Sequence, residues 1–334
     1  MKKSYYLFNA GRMSRKDNTL KFVAVDKDGV EQRAKFIPIE GTGQLYVFGA
    51  LDVNSALLSF LGKAGVMVHF FDYYEHYKGS FMPKEYLLAG RMVVAQTSHF
   101  LDGGKRMRVA RSFIEGGAHN MLKNLRYYAG RGRDLVNEVG LVEAFREDIG
   151  GAVDVPSLMG TEGNIRQAYY QGFDEILTDW VMGGRSKRPP KNEVNALISF
   201  GNMMCYSTCL DAIYHTQLNP TIGFLHEPGY RRYSLALDIA EVFKPILVDR
   251  VIFKVLNKRI IQRKDFERDL NYVLLKDGAR RKFIEAYEDR LKETIVHGSL
   301  GKAVSYRHLI KLECYKLAKH LLGMEEYVPL KMGW

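Results

Sequence analysis

Leu235-Ala-Leu-Asp-Ile-Ala-Glu-Val-Phe243 is the stretch on which the reading of this chain turns. Every residue in it except Asp238 and Glu241 is apolar, and a helix that is apolar almost all round belongs in a core. The two acids stand at i and i+3, so they share one edge of that helix. Two carboxylates in a low-dielectric interior repel and raise one another's pKa unless a metal, an arginine or a proton neutralises them. Oxygen ligands of this kind favour Mg²⁺ or Mn²⁺. On the sequence alone, removing Glu241 should relieve repulsion and leave the fold at least as stable in metal-free buffer.

Working outward, apolar residues recur at three and four spacing through Leu87–Leu101, Val109–Tyr128, Ile165–Val181, Val194–Tyr214, Leu235–Leu256, Phe283–Ile295 and Ser305–Leu322. Each reads as an amphipathic or buried helix, with Pro245 as an expected kink or break. The first ~85 residues read differently, on period and turn chemistry. Ser4–Asn9, Leu20–Val25, Phe36–Ile39, Leu45–Phe48 and Val66–Phe71 have strand composition, and Asp28-Gly29 sits where a hairpin turn wants positive φ. Asn54–Lys63 reads as a short helix. The expected class is α+β: a β-rich domain over 1–85, then a larger all-α catalytic domain over 86–334.

The chain has 334 residues, of which 46% are hydrophobic and 26% charged, the balance of a folded protein rather than a disordered tail. No apolar run approaches the ~18 residues of a membrane span, and the start lacks a long apolar signal core, so a cytoplasmic protein is expected. Three cysteines exclude a disulfide framework, and Cys205 and Cys209, at i and i+4 on an apolar helix, should pack in the core.

The formal net charge is +11, and its distribution gives it meaning. Gly104–Arg133 holds eight basic residues (Lys105, Arg106, Arg108, Arg111, Lys123, Arg126, Arg131 and Arg133) against the single acid Glu115. Arg185, Lys187, Arg188 and Lys191 add a second run in a Pro-Pro loop, and Arg231 and Arg232 precede the core helix. Such runs attract phosphates, and arginine suits phosphate geometry better than lysine. A solvated helix face would explain one such run, but two in a basic chain point to nucleic acid.

Two further groups stand in apolar context. In Thr161-Glu-Gly-Asn-Ile-Arg-Gln-Ala-Tyr169, Thr161 is an expected N-cap, with Glu162 in the first turn on the stripe of Ile165 and Tyr169. Glu162 could instead only complement a helix dipole. His226 lies in a Gly/Pro-bounded loop before the core helix; His226-Glu227 has no second histidine four residues on, so the zincin pattern is absent. There is no P-loop, GxSxG or triad order.

Four blocks, taken together and in order, resemble one family: Met159-Gly-Thr-Glu-Gly-Asn-Ile-Arg166; Arg188-Pro-Pro190 with Asn195-Ala-Leu-Ile-Ser-Phe-Gly201; Leu218-Asn-Pro-Thr-Ile-Gly-Phe-Leu-His-Glu227; and Ser234-Leu-Ala-Leu-Asp-Ile-Ala-Glu-Val-Phe-Lys-Pro245. They are similar to CRISPR-associated protein one, the nuclease and integrase of spacer acquisition in prokaryotic antiviral defence. The resemblance covers essentially the whole chain. It implies a catalytic Mg²⁺ or Mn²⁺ held by Glu162, His226 and Glu241, with Asp238 as a neighbouring acid that competes for direct coordination. It also implies a homodimer formed through the β-rich domain, and a small ferredoxin-like partner, CRISPR-associated protein two. DNA is the implied substrate, bound through Lys105, Arg106, Arg108, Arg111, Arg185, Lys187, Arg188, Arg231 and Arg232. Asn202 stands where many members have tyrosine. A silent DNA-binding scaffold, its acids neutralised by Arg166 or Arg232, and a hydrolase of small phosphate esters are the competing readings.

Overall fold

A computed structural model describes residues 2–26, 28–72, 74, 76–84, 87–186, 189–229, 233–269, 272–298 and 301–333. The chain divides into two compact units, Met1–Tyr86 and Leu87–Trp334.

The first unit holds β1 (Lys3–Leu7), β2 (Gly11–Lys16), β3 (Thr19–Ala24), β4 (Lys35–Pro38), β5 (Thr42–Val47), β6 (Leu51–Asp52), α1 (Ser55–Ala64), β7 (Met67–Phe71) and β8 (Tyr77–Phe81). Two four-stranded sheets form, ordered β4-β3-β2-β6 and β1-β5-β7-β8. In the second, β5 pairs in parallel with both β1 and β7, and β8 closes the edge antiparallel. Leu7, Met13, Leu20, Phe22, Leu45, Val47, Leu57, Leu61 and Val68 form one buried cluster. Gly29 has φ +79° in the expected turn, with Val25 bridging to Glu31. Strands β2 and β8 escape a reading by hydropathy: β2, Gly-Arg-Met-Ser-Arg-Lys, buries Met13 as its single large apolar side chain.

The second unit is mainly helical: α2 (Gly90–Leu101), α3 (Gly103–Ala129), α4 (Val136–Glu147), α5 (Val155–Ile176), α6 (Glu193–Tyr214), α7 (Ser234–Lys244), α8 (Arg250–Asn257), α9 (Asp277–Lys292) and α10 (Tyr306–Leu321). It is not purely α, because β9 (Phe266–Arg268) with β10 (Val273–Leu275) and β11 (Thr294–His297) with β12 (Lys302–Ser305) form antiparallel pairs. Among the described residues no helix is long and apolar enough to cross a membrane.

Helix α7 is the buried core helix that its sequence predicts, and it packs against α3 and α6. Pro245 does not break it. Proline lacks the N–H and crowds the carbonyl four residues back, and the chain absorbs this as a π-helical turn over Pro245–Asp249 that runs on into α8. Asn124 Nδ2 donates to the Pro245 carbonyl at 2.8 Å, and Asn120 Nδ2 donates to that of Val242 at 3.0 Å. At Gly117 of α3, an added Cβ would lie 3.0 Å from the Glu241 carbonyl oxygen, so the glycine sets how closely α3 approaches α7. The three cysteines are free and buried.

Candidate active site

Helix α5 presents Glu162 from its interior, not from its first turn. Asp154 is the N-cap: its Oδ1 accepts from Ser157 N at 2.8 Å, while Ser157 Oγ accepts from Asp154 N at 3.1 Å. This reciprocal cap, with a proline in the first turn, is a stronger start signal than Thr161. Thr161 lies within the helix, its hydroxyl donating to the Ser157 carbonyl at 3.4 Å. Glu162 nevertheless faces inward with Ile165 and Tyr169, both buried.

Helix α7 gives its two acids different tasks. Asp238 is fully buried and its oxygens serve the loop ahead of the helix. Oδ2 accepts from the backbone N–H groups of Phe224 at 2.6 Å and Leu225 at 3.1 Å. Oδ1 accepts from His226 N at 2.9 Å and lies 2.8 Å from His226 Nδ1. With Nδ1 engaged, Nε2 is the ring nitrogen left for a ligand. Gly223 allows this wrap, since a Cβ there would come within 2.8 Å of Asp238 Oδ2. Ser234 Oγ accepts from Gly223 N at 2.9 Å and donates to Thr221 O at 2.7 Å.

The loop is also held from outside. Gln96 of α2 donates to the carbonyls of Asn219 and Ile222 at 3.1 and 3.2 Å and accepts from Asn219 N at 2.7 Å. Arg106 of α3 donates through Nε to Phe224 O at 2.9 Å and through Nη2 to Glu227 Oε1 at 2.5 Å.

Glu241, one turn beyond Asp238, meets cations instead. Arg166, four residues after Glu162, pairs with Glu162 through Nε and with Glu241 through Nη2, so one guanidinium stands between the two carboxylates. Lys244 Nζ lies 2.6 Å from Glu241 Oε1. The repulsion expected between the α7 acids is therefore offset by cations, and Glu241→Ala would take the carboxylate from Lys244 and one of two from Arg166 rather than relieve strain. Burial pushes the Glu162 pKa up, but Arg166, Lys244 and His226 together outweigh it and hold the carboxyl below its ordinary range. Burial likewise lowers Arg166, yet Glu162 and then Tyr170 more than restore it and keep the guanidinium charged. Lys244 is pushed down to about 8, by burial first and by Arg166 second. Both cations were legible as i,i+4 and i,i+3 partners of the acids, a spacing that places side chains on one face.

A divalent cation suits this donor set. Two carboxylates from different helices, Glu241 buried and Glu162 mostly so, and an imidazole on a fixed loop are ligands that Mg²⁺ or Mn²⁺ accepts. Glu241 Oε2, although it faces Arg166 Nη2, has no hydrogen bond of good geometry. As they lie, no three His, Cys, Asp or Glu side chains among the described residues are close enough to hold one ion.

The predicted phosphate ligands fare unequally. Lys105 and Arg108 are exposed on α3, Lys105 with its ammonium 3.6 Å from Asp102. Arg106 turns inward as described, and Arg111 donates to Ala152 O at 2.6 Å, so the two do not project freely from the helix. Arg126 pairs with Glu143, and Arg131 lies over the Tyr127 ring. Arg185 folds onto α6, donating to Asn195 Oδ1 at 2.9 Å and Ser199 Oγ at 3.1 Å. Lys187, Arg188, Arg231 and Arg232 lie outside the described residues.

Residues 5–289 match the family model described as CRISPR associated protein Cas1. The chain is 45% identical over 336 residues to the CRISPR-associated endonuclease Cas1 2 of Thermodesulfovibrio yellowstonii, covering all of both chains. Among solved structures, a Cas1 protein from Thermotoga maritima superposes with TM-score 0.87 at 38% identity, over 97% of this chain and 98% of that one. A casposase bound to integration product superposes with TM-score 0.87 at 20% identity, over 100% and 95%, which shows a shared fold. On the extent of these matches, the chain belongs to the Cas1 family of CRISPR-associated proteins.

Proposed function

We propose that this protein is a metal-dependent DNA nuclease and integrase that inserts short DNA fragments into a CRISPR array. One observation carries the reading: Glu162 and Glu241, from two different helices, are brought to a single guanidinium inside the protein, beside a histidine on a braced loop. Glu162, Glu241 and His226 Nε2 would hold one Mg²⁺ or Mn²⁺, which when bound supplies Lewis-acid stabilisation of the charge that builds on a phosphodiester. Asp238 fixes the imidazole's orientation by engaging Nδ1, the outer-shell task of a carboxylate behind a ligating histidine. Arg166 holds Glu162 ionised and pairs with Glu241, which Lys244 also meets; with a cation on the acids, both basic side chains would be free to contact phosphate oxygens.

In the joining reaction the 3′-hydroxyl of the incoming strand forms a new bond to phosphorus, the bond to the array's 3′-oxygen breaks, and the departing oxygen takes up a proton. The number of phosphodiesters is conserved. With water as nucleophile, the same exchange is cleavage. Lys105 and Arg108 would bind backbone phosphates, and the β-rich unit would serve homodimer formation. CRISPR-associated protein two is the expected partner subunit.

A silent scaffold would use the same ion pairs as permanent neutralisation, with Arg166 in the role that reading gives it. Glu241→Gln separates the two. Cleavage and joining of DNA with Mn²⁺ or Mg²⁺ should stop in this variant, and in wild type with chelator, while DNA affinity stays within a few-fold. Wild-type protein that neither cuts nor joins DNA in either metal would favour the scaffold.

A further inference from the structure

We infer that Arg106, although it sits in the densest run of positive charge, is a positioning residue for His226 and not a phosphate ligand. This rests on the proposed metal site. Arg106 is mostly buried, its side chain 15% exposed. Its guanidinium lies 4.3 Å from the centre of the Phe100 ring. The fork is spent on the His226 loop: Nε on the carbonyl of Phe224, two residues before the histidine, and Nη2 on the carboxylate of Glu227, one residue after it.

These contacts complement those of Asp238. The carboxylate takes the N–H groups of Phe224, Leu225 and His226 from the α7 side. The guanidinium takes the Phe224 carbonyl from the α3 side, so the Phe224 peptide units are fixed through both their donor and their acceptor. With Nδ1 held by Asp238 and the backbone clamped on both flanks, Nε2 has one available direction. A planar, always-charged fork suits a two-point clamp better than a flexible ammonium does. Outer-shell partners of metal ligands commonly change metal affinity by about 10–100-fold when removed.

The test is Mn²⁺ titration calorimetry and Mn²⁺ electron spin-echo spectroscopy on the full chain, with salt-dependent DNA binding alongside. Wild type should show ¹⁴N modulation from a bound imidazole, and H226A should lack it. R106Q should bind Mn²⁺ about tenfold more weakly and lose most of that modulation. R106K should recover part of both, while the salt slope of DNA binding in R106Q equals that of wild type. Should R106Q fail to fold, E227Q takes its place. Glu227 is 67% exposed, and its substitution should weaken Mn²⁺ binding several-fold with the same spectroscopic loss. Wild-type affinity and modulation in a folded R106Q, or in E227Q where that stands in, would overturn the inference. So would a salt slope flattened by about 0.9, the signature of a lost phosphate contact. Failure of wild type to bind Mn²⁺ at all would instead sink the proposed metal site.

Discussion

Among the described residues, the β-rich unit buries Thr42, Gln44 and His69 as its polar side chains, whereas the helical unit buries Glu193, Asp238, Glu241, Asp249, Arg280 and Glu313 besides neutral groups. His69, between Ser80 Oγ at 2.6 Å and Gln44 Oε1 at 3.1 Å, is pushed down to about 3 by burial and stays neutral. One unit thus keeps acids and arginines out of its core, and the other builds its core around them. The helical acids then divide by what they accept. Glu313 takes the hydroxyl of Tyr327 at 2.7 Å and the N–H of Leu330 at 3.0 Å, and Asp238 takes three backbone N–H groups and an imidazole. Glu313 also meets Lys316 at 2.6 Å and Glu193 meets Arg268, so a cationic partner is common to several buried acids. Glu162 and Glu241 differ in that two helices bring them to one shared guanidinium, that of Arg166. Burial of an acid, even with a cationic partner, therefore does not single out a site; two acids of different helices converging on one cation do.

The sharpest way to break this division is Asp238→Asn. The amide keeps one acceptor oxygen but turns donors toward backbone N–H groups, and each buried donor left unmatched costs about 1–3 kcal/mol. The variant should lose on the order of 3 kcal/mol in denaturant unfolding and most of its activity, because His226 loses its orientation. Full stability with weakened Mn²⁺ binding would instead make Asp238 a direct ligand.

A smaller effect separates the units by pH. His69, with its folded pKa below the unfolded value, contributes stability that is complete above about 6.5 and is lost as pH falls toward about 3. Asp249, buried in the π turn against Tyr169 OH at 3.0 Å, is pushed up to about 7 by burial. Its folded state holds a proton that the unfolded chain has released, so stability present below about 4 is lost as pH rises toward 7. Hydrogen exchange should show the β-rich unit loosening as pH falls from about 6.5 toward 3 and the region around α8 loosening as pH rises from about 4 to 7. His69→Gln should remove the first trend and Asp249→Asn the second; parallel trends in both units, or no change in the variants, would break the contrast.

The smallest expected effect lies on the surface. Arg108→Gln should flatten the dependence of log K on log salt for duplex DNA by about 0.9 while affecting unrelated sequences alike. Arg111→Gln, whose guanidinium is already bound to Ala152 O, should leave that slope unchanged. A slope altered by Arg111 and not by Arg108 would reverse the division between projecting and inward cations on α3.

The amino-acid pattern by itself determined the β-rich start and helical remainder, because two- and 3.6-residue periods report directly which faces are buried. It also determined that Glu162, His226, Asp238 and Glu241 stand in apolar surroundings. Local caps and breaks were harder: Asp154 outcompeted Thr161 as the start of α5, and the helix passed through Pro245 by inserting a π turn held by Asn124. Which partners each acid meets was a tertiary decision. Asp238 and Glu241 differ by three residues on one helix, yet one faces the N–H groups of the His226 loop and the other faces Arg166 across from α5. Charge density did not say which arginines project from α3, for the same reason. A run of arginines fixes the field outside the protein, but whether each guanidinium projects or folds inward depends on which carbonyls and carboxylates the neighbouring elements place within reach, as Phe224 and Glu227 do for Arg106.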